Sequence, residues 1–340
     1  MCNPCCPGTQ RRSAEPNEIL SAGSELCFRC LRVLYCQHAA RFYAYEEAVR
    51  DAAQLWITLP AFLFPQLGEQ LLPIVEKGQT IICVPGGGGA EFAFQGLVRK
   101  VGCTLCGLQR VHSIARLKEY GRSVFMLGRK DSIQIGTIPC GKAGETADIL
   151  SKMLAMPCKA LPNYLSVTLT PSNPILHTSR LYSMFHDYRD GVFYDRNILF
   201  YEEWTDDASR VLLACDAELQ ELCTALQPLD LTGVRSLKTH YESETSEQMT
   251  RKISGIPAFK GLTSPMKKCE KGWHPDFTSR YFTADFAFGL KVIIDLAHSV
   301  GSCACEMESV WRWYLKTRDV PCDYFTLTTD REELTSYYLV

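Results

Sequence analysis

The stretch 279–290, which reads SRYFTADFAFGL, carries two charged residues among mostly apolar and aromatic neighbours. Arg280 and Asp285 lie five residues apart in it. An isolated charge costs several kcal/mol to bury unless it is paired or hydrogen-bonded. The two residues therefore either pair with each other or serve different partners at a functional site. Asp285 also precedes a predicted helix, where a carboxylate is favoured for local reasons.

His177 is the residue that gives Asp285 a possible catalytic role. It lies in the stretch PSNPILHTSRLYSMF, which we expect to be a helix capped by Ser172 or Asn173, with Pro174 in its first turn. Helical spacing puts His177 on the apolar face of this helix. It is therefore either a hydrogen-bonded core histidine or a general acid-base oriented by a distant carboxylate, for which Asp285 is the candidate.

The glycine run Gly86–Gly89 is a second candidate site. It follows an apolar strand and precedes a helix, where backbone N–H groups are able to meet a phosphate. It lacks the spaced glycines of the dinucleotide fingerprint and the acidic residue about 20 positions further on. A simple turn and a ligand crevice at the carboxyl end of a strand both explain this run.

Six of the 17 cysteines lie near the beginning of the chain. Cys2-x-x-Cys5 and Cys27-x-x-Cys30 are spaced like ligands of a structural zinc site, although the loop between the pairs is longer than usual. The composition of this segment offers no core-forming face and favours a poorly ordered or atypical N-terminus instead. We expect no metal in the chain, and we expect most other cysteines, such as Cys83, to be reduced and buried.

The elements that must position these residues follow two patterns. The apolar runs QLWITLP, QTIICVP and CTLCGLQ alternate with helical stretches, which predicts a parallel sheet covered on both faces, half of a doubly wound α/β fold. SVFMLGRKDSIQIGTIP predicts two strands around a turn, and ETADILSKMLAM a closing helix. After about residue 168 only helical spacing remains, so we divide the chain into an atypical segment 1–42, an α/β domain 43–168 and an all-α domain 169–340.

Overall composition bounds the class of ligand. With 46% hydrophobic and 22% charged residues, the 340-residue chain is ordinary for a globular protein of about two domains. The net charge is −2, and no Lys/Arg cluster supplies the electrostatic footprint of a nucleic-acid binder. No apolar run approaches the roughly 20 residues that span a bilayer, and no secretory signal is visible. We therefore expect small-molecule ligands, no nucleic acid or membrane partner, and a cytoplasmic location.

Five stretches, in this order and at these separations, resemble the opine dehydrogenases, the octopine/nopaline dehydrogenase family. They read LWITLPAFLF, ARLKEYGRSVFMLGRKDSI, NPILHTSRLY, AFKGLTSP and DFTSRYFTADFAFGL. The resemblance runs from about residue 43 to 317. It implies a partial Rossmann-like domain that holds NAD(P)H, followed by a helical domain, with the site between them. It also implies reductive condensation of an amino acid with an α-keto acid, by a monomer or homodimer.

The resemblance also implies roles for single residues. His177 corresponds to the catalytic histidine and Asp285 to the carboxylate that orients it. Arg280 corresponds to the residue that grips the keto-acid carboxylate, and Asn173 to a further substrate-binding position. A planar guanidinium holds a carboxylate through two parallel hydrogen bonds, which suits the role implied for Arg280.

For the cofactor, the resemblance implies NAD or NADP bound near Pro60, Gly86 and Gly87. The first 42 residues contain no Gly-x-Gly, so the first half of the nucleotide fold looks missing or replaced, and cofactor binding is expected to be weak. This leaves an alternative function, a non-catalytic family remnant that binds a ligand or a partner.

Overall fold

The computed structural model describes residues 32–35, 44–120, 122–317, 327 and 331–339. The strands in these ranges are β1 Arg32–Tyr35, β2 Gln54–Ile57, β3 Thr80–Cys83, β4 Thr104–Leu108, β5 Ser113–Glu119, β6 Ser123–Arg129, β7 Ile133–Ile138, β8 Cys158–Ala160, β9 Met266–Cys269 and β10 Gly272–Pro275. The cysteine pairs considered as zinc ligands lie outside the described residues, so that hypothesis stays open.

The helices carry most of the second half of the chain. They are α1 Tyr45–Val49, α2 Phe64–Leu71, α3 Ala90–Ala93, α4 Ala143–Leu154, α5 Leu165–Thr168, α6 Asn173–Phe185, α7 Asp206–Ala225, α8 Leu237–Tyr241, α9 Ser246–Ser254, α10 Arg280–Thr283, α11 Lys291–Ser299, α12 Cys305–Thr317 and α13 Arg331–Leu339. Two π-helical segments, Leu97–Val101 and Phe286–Leu290, complete the helical part. No helix in the described ranges is both long and apolar enough to cross a membrane.

The chain forms two compact units, and the smaller one contains a three-stranded antiparallel sheet. This unit comprises the chain up to Ala48 together with Ser113–Arg129, and its strand order is β1-β6-β5. The sequence predicted β6 but not β5, whose last five residues are exposed. A strand without a buried face shows no alternation of apolar and polar residues, which is the signal that identifies strands.

The larger unit contains a five-stranded sheet in the order β2-β3-β4-β7-β8. Strands β2, β3 and β4 are parallel, as predicted, and so are β7 and β8 with each other. The sheet is nevertheless mixed, because β4 and β7 pair antiparallel. A parallel connection needs a crossover, usually a helix. The described residues between β4 and β7 contain no helix, so the chain returns in the opposite direction.

Both faces of this sheet are covered, as the apolar runs predicted. Ile81 and Cys83 of β3 belong to the main core, which includes α2 and the helical part of the chain. Ile82, on the opposite face, packs in a second cluster with Ala147 and Leu150 of α4. This alternation is the period-2 geometry of a strand buried on both sides.

The helical part agrees with the prediction except for one hairpin. Strands β9 and β10 pair antiparallel inside a stretch that the sequence analysis read as a linker. Their polar and charged sequence, MKKC and GWHP, hides the strand signal. The main core runs without a break from the sheet into these helices, so the domain boundary placed after residue 168 stays a prediction.

Candidate active site

His177 lies on the second turn of α6, and its ring is held from both sides. Its Nδ1 atom lies 2.8 Å from Oδ2 of Asp285, and its Nε2 atom lies 2.8 Å from the hydroxyl of Tyr201. The side chain of His177 is 10% exposed and that of Asp285 is 16% exposed. The rings of Phe200 and Tyr281 pack against the imidazole, with centroids 5.5 and 4.7 Å away. A largely buried imidazole is thus fixed in one orientation.

Asp285 lies immediately before the π-helical segment Phe286–Leu290. Its side chain makes no capping hydrogen bond to that segment, and no ion pair joins it to Arg280 within the described residues. The pairing with Arg280 is therefore not formed, while Asp285 still lies at the N-terminal end of a helical segment, where a carboxylate is favoured. A carboxylate can only accept hydrogen bonds, so its contact with Nδ1 assigns the proton of that bond to His177.

The start of α6 differs in detail from its prediction. The helix begins at Asn173 with Pro174 in its first turn, as expected, but Ser172, in the capping position, makes no side-chain capping bond. Asn173 is exposed and lies one turn before His177, so both side chains lie on the same face of the helix. The substrate-binding role of Asn173 stays a prediction.

Tyr201 is a site residue that the sequence analysis missed. It is 5% exposed, stacks on Phe259 with centroids 4.1 Å apart and lies parallel to the indole of Trp204. Its hydroxyl reaches the Nε2 atom that Asp285 leaves available. A buried tyrosine needs a partner for its hydroxyl, but nothing in the sequence FYEEW marks Tyr201 as buried or indicates that partner.

The turn that carries Tyr201 is held by a buried arginine and by an exposed ion pair. Arg180 of α6 donates from Nε to the carbonyl of Phe200 at 2.9 Å and from a terminal nitrogen to the carbonyl of Glu203 at 2.6 Å. The carboxylate of Glu203 binds both terminal nitrogens of Arg196 and the amide of Leu199. The Arg196 hydrogen bond lowers the pKa of Glu203 to about 2, so this clamp stays charged across the usual range of pH.

Arg280 begins α10 and is exposed. Within the part of the chain that the structure describes, its guanidinium makes no hydrogen bond or ion pair. The next residue, Tyr281, packs directly on the imidazole of His177. Arg280 is thus the chain neighbour of a residue that contacts the histidine, and its exposed guanidinium suits a ligand carboxylate; its substrate role stays a prediction.

The glycine run lies at the carboxyl end of β3, and its members differ in what they contact. Gly86 donates to the carbonyl of Leu108 at 2.8 Å and accepts from the hydroxyl of Tyr164 at 2.8 Å. A Cβ there would lie 2.3 Å from the backbone of Gly107. Gly86 thus serves close strand packing, while a Cβ at Gly87 would meet nothing within 4 Å.

Gly88 joins this edge of the sheet to the segment after Asp285. Its φ is +80°, and a Cβ there would lie 2.4 Å from Ala61 and 3.3 Å from the carbonyl of Phe288. Pro60, which precedes Ala61, ends the loop after β2. The predicted cofactor loops therefore lie next to the segment that carries the carboxylate. The sequence analysis named Gly86 and Gly87 but not Gly88, because positive φ is not visible in a run of four glycines.

Comparison with known proteins narrows the class of protein that combines this sheet, the helical part and the buried His–Asp pair. Residues 160–317 match the α-helical domain of the NAD/NADP octopine/nopaline dehydrogenases. The helical part of the chain thus matches this family, and the chain is similar to several of its members. It is 29% identical to the tauropine dehydrogenase of Arabella iricolor over 292 residues, 80% of this chain and 72% of that one.

Two further comparisons agree with this family. The chain is 25% identical to the octopine dehydrogenase of Pecten maximus over 284 residues, 79% of this chain and 70% of that one. A solved octopine dehydrogenase with NADH and L-arginine has a similar fold, with a TM-score of 0.71 and 24% identity, over 80% of this chain and 71% of that one. The predicted fold class, a Rossmann-like part followed by a helical part, is confirmed.

Proposed function

We propose that this chain is an opine dehydrogenase-like oxidoreductase. It would join the amine of an amino acid to the carbonyl of an α-keto acid and reduce the resulting C=N bond with NADH or NADPH. The observation that carries this proposal is the 2.8 Å contact between His177 and Asp285 in a chain whose relatives are named octopine, tauropine and opine dehydrogenases. No finding favours the non-catalytic alternative.

His177 is placed to move protons at Nε2. Asp285 accepts a hydrogen bond from Nδ1–H and stabilises the imidazolium that forms when Nε2, the atom now 2.8 Å from the Tyr201 hydroxyl, takes a proton. In the reaction the amine nitrogen bonds to the keto carbon, the carbonyl oxygen leaves as water, and the C=N bond gains a hydride at carbon. The ammonium group of the amino acid loses two protons on the way to the secondary amine, and Nε2 would pass them in turn to the oxygen, which leaves as water. When bound, reduced nicotinamide supplies the hydride.

Arg280 and Asn173 are proposed to hold the substrates. The exposed guanidinium of Arg280 offers the fork geometry that binds a keto-acid carboxylate through two hydrogen bonds. Such a grip fixes which face of the carbonyl meets the hydride and lowers the entropic cost of reaction. Asn173, one turn before His177, offers an amide to the other polar groups of the substrate.

The described residues fit one end of a nicotinamide cofactor better than the other. Pro60 and Gly87 lie at the carboxyl ends of neighbouring parallel strands, where ligands of open α/β sheets bind. Gly87 leaves open space beside the backbone. A pyrophosphate needs free backbone N–H groups in a glycine turn. Gly86 does not provide one, because its N–H and its carbonyl already make hydrogen bonds within the protein. We therefore propose weak binding of the cofactor, with its nicotinamide end near Pro60 and Gly87.

The direct test combines cofactor titration with turnover. NADH and NADPH are titrated by fluorescence, and NAD(P)H oxidation is then followed with pyruvate and a panel of amino acids that includes taurine and arginine. We expect turnover with at least one pair and a loss of at least roughly 100-fold in His177→Ala. His186→Ala, an exposed histidine at the end of the same helix, is the matched control. No turnover and no cofactor binding would instead support the remnant alternative.

The proposal also covers the location of the protein in the cell and its oligomeric state. We propose a cytoplasmic location and a monomer or homodimer. The cysteines of the described residues are free thiols, which is consistent with a reducing compartment. Cell fractionation and the mass of the purified protein in solution test these two points.

A further inference from the structure

Glu218, Cys303 and Cys305 form a convergent group outside the candidate active site. Glu218 lies on α7, Cys305 is the first residue of α12, and Cys303 lies two residues before it. One ligand atom of each residue, two sulfurs and a carboxylate oxygen, lies within 4.8 Å of the others. Both thiols are exposed, and a hydrogen bond joins their side chains. The sequence analysis expected no metal and missed this group, because Glu218 is distant from the cysteines in the chain.

Helix α12 itself holds Glu218 in place. One carboxylate oxygen accepts from the amide of Glu306 at 2.7 Å, and the other accepts from the amide of Met307 at 3.0 Å. These bonds satisfy two of the amides that a helix leaves without partners at its N-terminus. Each carboxylate oxygen has a further lone pair, so the group remains able to bind a cation.

The neighbouring charges also favour a cation. Glu308 lies close enough to Cys305 to act on it electrostatically, as Glu218 does. The carboxylate of Glu308 binds His298 at 2.6 Å, so it contributes negative charge without competing for the ligand positions.

We propose that Glu218, Cys303 and Cys305 bind a thiophilic divalent cation of the zinc type, with water as the fourth ligand. Zinc takes sulfur ligands at about 2.3 Å and carboxylate oxygens at about 2.0–2.2 Å in a tetrahedron. Such a tetrahedron spaces its ligand atoms roughly 3.4–3.8 Å apart. The group must contract by about 1 Å from its present span, which rotation of two exposed cysteine side chains allows.

Metal binding here would fasten α7 to α12 and so support the active site indirectly. Tyr314 of α12 stacks on Phe286 with centroids 4.3 Å apart, and Trp313 packs on the same ring. Phe286 follows Asp285 directly. The cation would therefore stabilise the helix that backs the carboxylate, and this role does not depend on the proposed reaction.

The experiment measures zinc bound to the full chain under a thiol-free reductant. To remove competing thiols, all variants carry serine at Cys2, Cys5, Cys27 and Cys30. We expect one zinc per chain by competition with a chromophoric chelator and a higher melting temperature with zinc. Cys303→Ser/Cys305→Ser should weaken affinity at least tenfold and abolish the thermal shift, and Glu218→Gln should weaken affinity less. Cys140→Ser/Cys269→Ser, two half-buried thiols elsewhere, is the matched control.

Two results would overturn the proposal. One is unchanged zinc affinity in Cys303→Ser/Cys305→Ser; the other is an equal loss in the Cys140→Ser/Cys269→Ser control, which would mean general binding to thiols. A folded-state spectrum of each apo variant keeps these results interpretable, because the cysteines are exposed and Glu218→Gln keeps one oxygen acceptor for the cap of α12.

Discussion

At the scale of single residues, the two charged residues of the apolar stretch 279–290 do not pair with each other. Asp285 hydrogen-bonds His177, while the exposed Arg280 makes no ion pair with it among the described residues. His177 lies on α6, Arg280 on α10, and Asp285 immediately before a π-helical segment. Such segments are local distortions of a helix and are frequent at functional sites. The carboxylate is thus tied to the imidazole and the guanidinium is left for a ligand.

The first prediction concerns the His177–Asp285 pair. Asp285→Asn keeps the shape but removes the charge that stabilises the imidazolium, so it should lower kcat nearly as much as His177→Ala. The double variant should be little worse than His177→Ala alone, because residues that act together are not additive. Steady-state kinetics on the three variants measure this. Asp295→Asn, which breaks the pair with Lys291 on α11, should leave kcat unchanged, and additive losses at 177 and 285 would reject the paired mechanism.

The second prediction concerns the hydroxyl of Tyr201. Tyr201→Phe keeps the ring stacked on Phe259 but removes the partner of Nε2 on His177. We expect kcat to fall roughly tenfold, the effect of about 1.4 kcal/mol, which is the size of one hydrogen bond. Steady-state kinetics of Tyr201→Phe and of the unaltered protein measure this. Equal kcat values would show that Tyr201 only packs.

The site could be predicted from sequence only where chemistry has a local signature. The Asn-Pro start of α6 and the isolated charges in an apolar stretch pointed to His177, Asp285 and Arg280. Tyr201 had no such signature, because its role depends on a contact with a residue on another element. Pro60, Gly86 and Gly87 were implied by the family resemblance, and the glycine run also by its place after an apolar strand; only the structure shows that Gly86 is used for packing.

At the scale of elements, the geometry of the site depends on how closely α6 approaches the π-helical segment after Asp285. A Cβ on Gly289 would lie 3.0–3.3 Å from atoms of Pro174, at the beginning of α6. This glycine therefore lets the element that carries His177 contact the one that carries Asp285.

The sequence did not predict two antiparallel pairings, β4 with β7 and β9 with β10. Strand direction depends on the path of the chain and not on local composition.

The third prediction follows from this close approach. Gly289→Ala should push α6 away from the π-helical segment and lower kcat, with a loss of about 1–3 kcal/mol in the free energy of unfolding from overpacking. Gly144→Ala on α4 is the matched control, because a Cβ there meets nothing within 4 Å. The control should raise stability by up to about 1 kcal/mol, the helix propensity difference between the two residues. Thermal melts and kinetics on both variants test this, and equal behaviour would contradict the packing argument.

At the scale of the whole molecule, Glu91 joins distant parts of the chain. This residue of α3 is 0% exposed. Its carboxyl accepts hydrogen bonds from Thr168 at the end of α5 and from Tyr338 on α13, and its carbonyl accepts from Tyr337. One carboxyl oxygen, Oε2, has no partner within the described residues. A buried carboxyl with an unpaired oxygen is costly when ionised, and burial raises the pKa of Glu91 to about 7 against a usual value of 4.5.

The last prediction is the pH dependence that Glu91 gives to stability. An acid whose pKa is raised by folding binds its proton more tightly in the folded state, so stability is full below about pH 4.5 and is lost as the pH rises to about 7. The loss is roughly 3 kcal/mol by the relation between pKa and free energy. Glu91→Gln stays neutral and keeps an acceptor for Thr168 and Tyr338. Its melting temperature should therefore fall less than that of the unaltered protein between pH 5 and pH 8. Glu145→Gln, an exposed carboxylate on α4, should leave the pH profile unchanged, and parallel profiles for Glu91→Gln and the unaltered protein would show that the buried carboxyl is already ionised at pH 5.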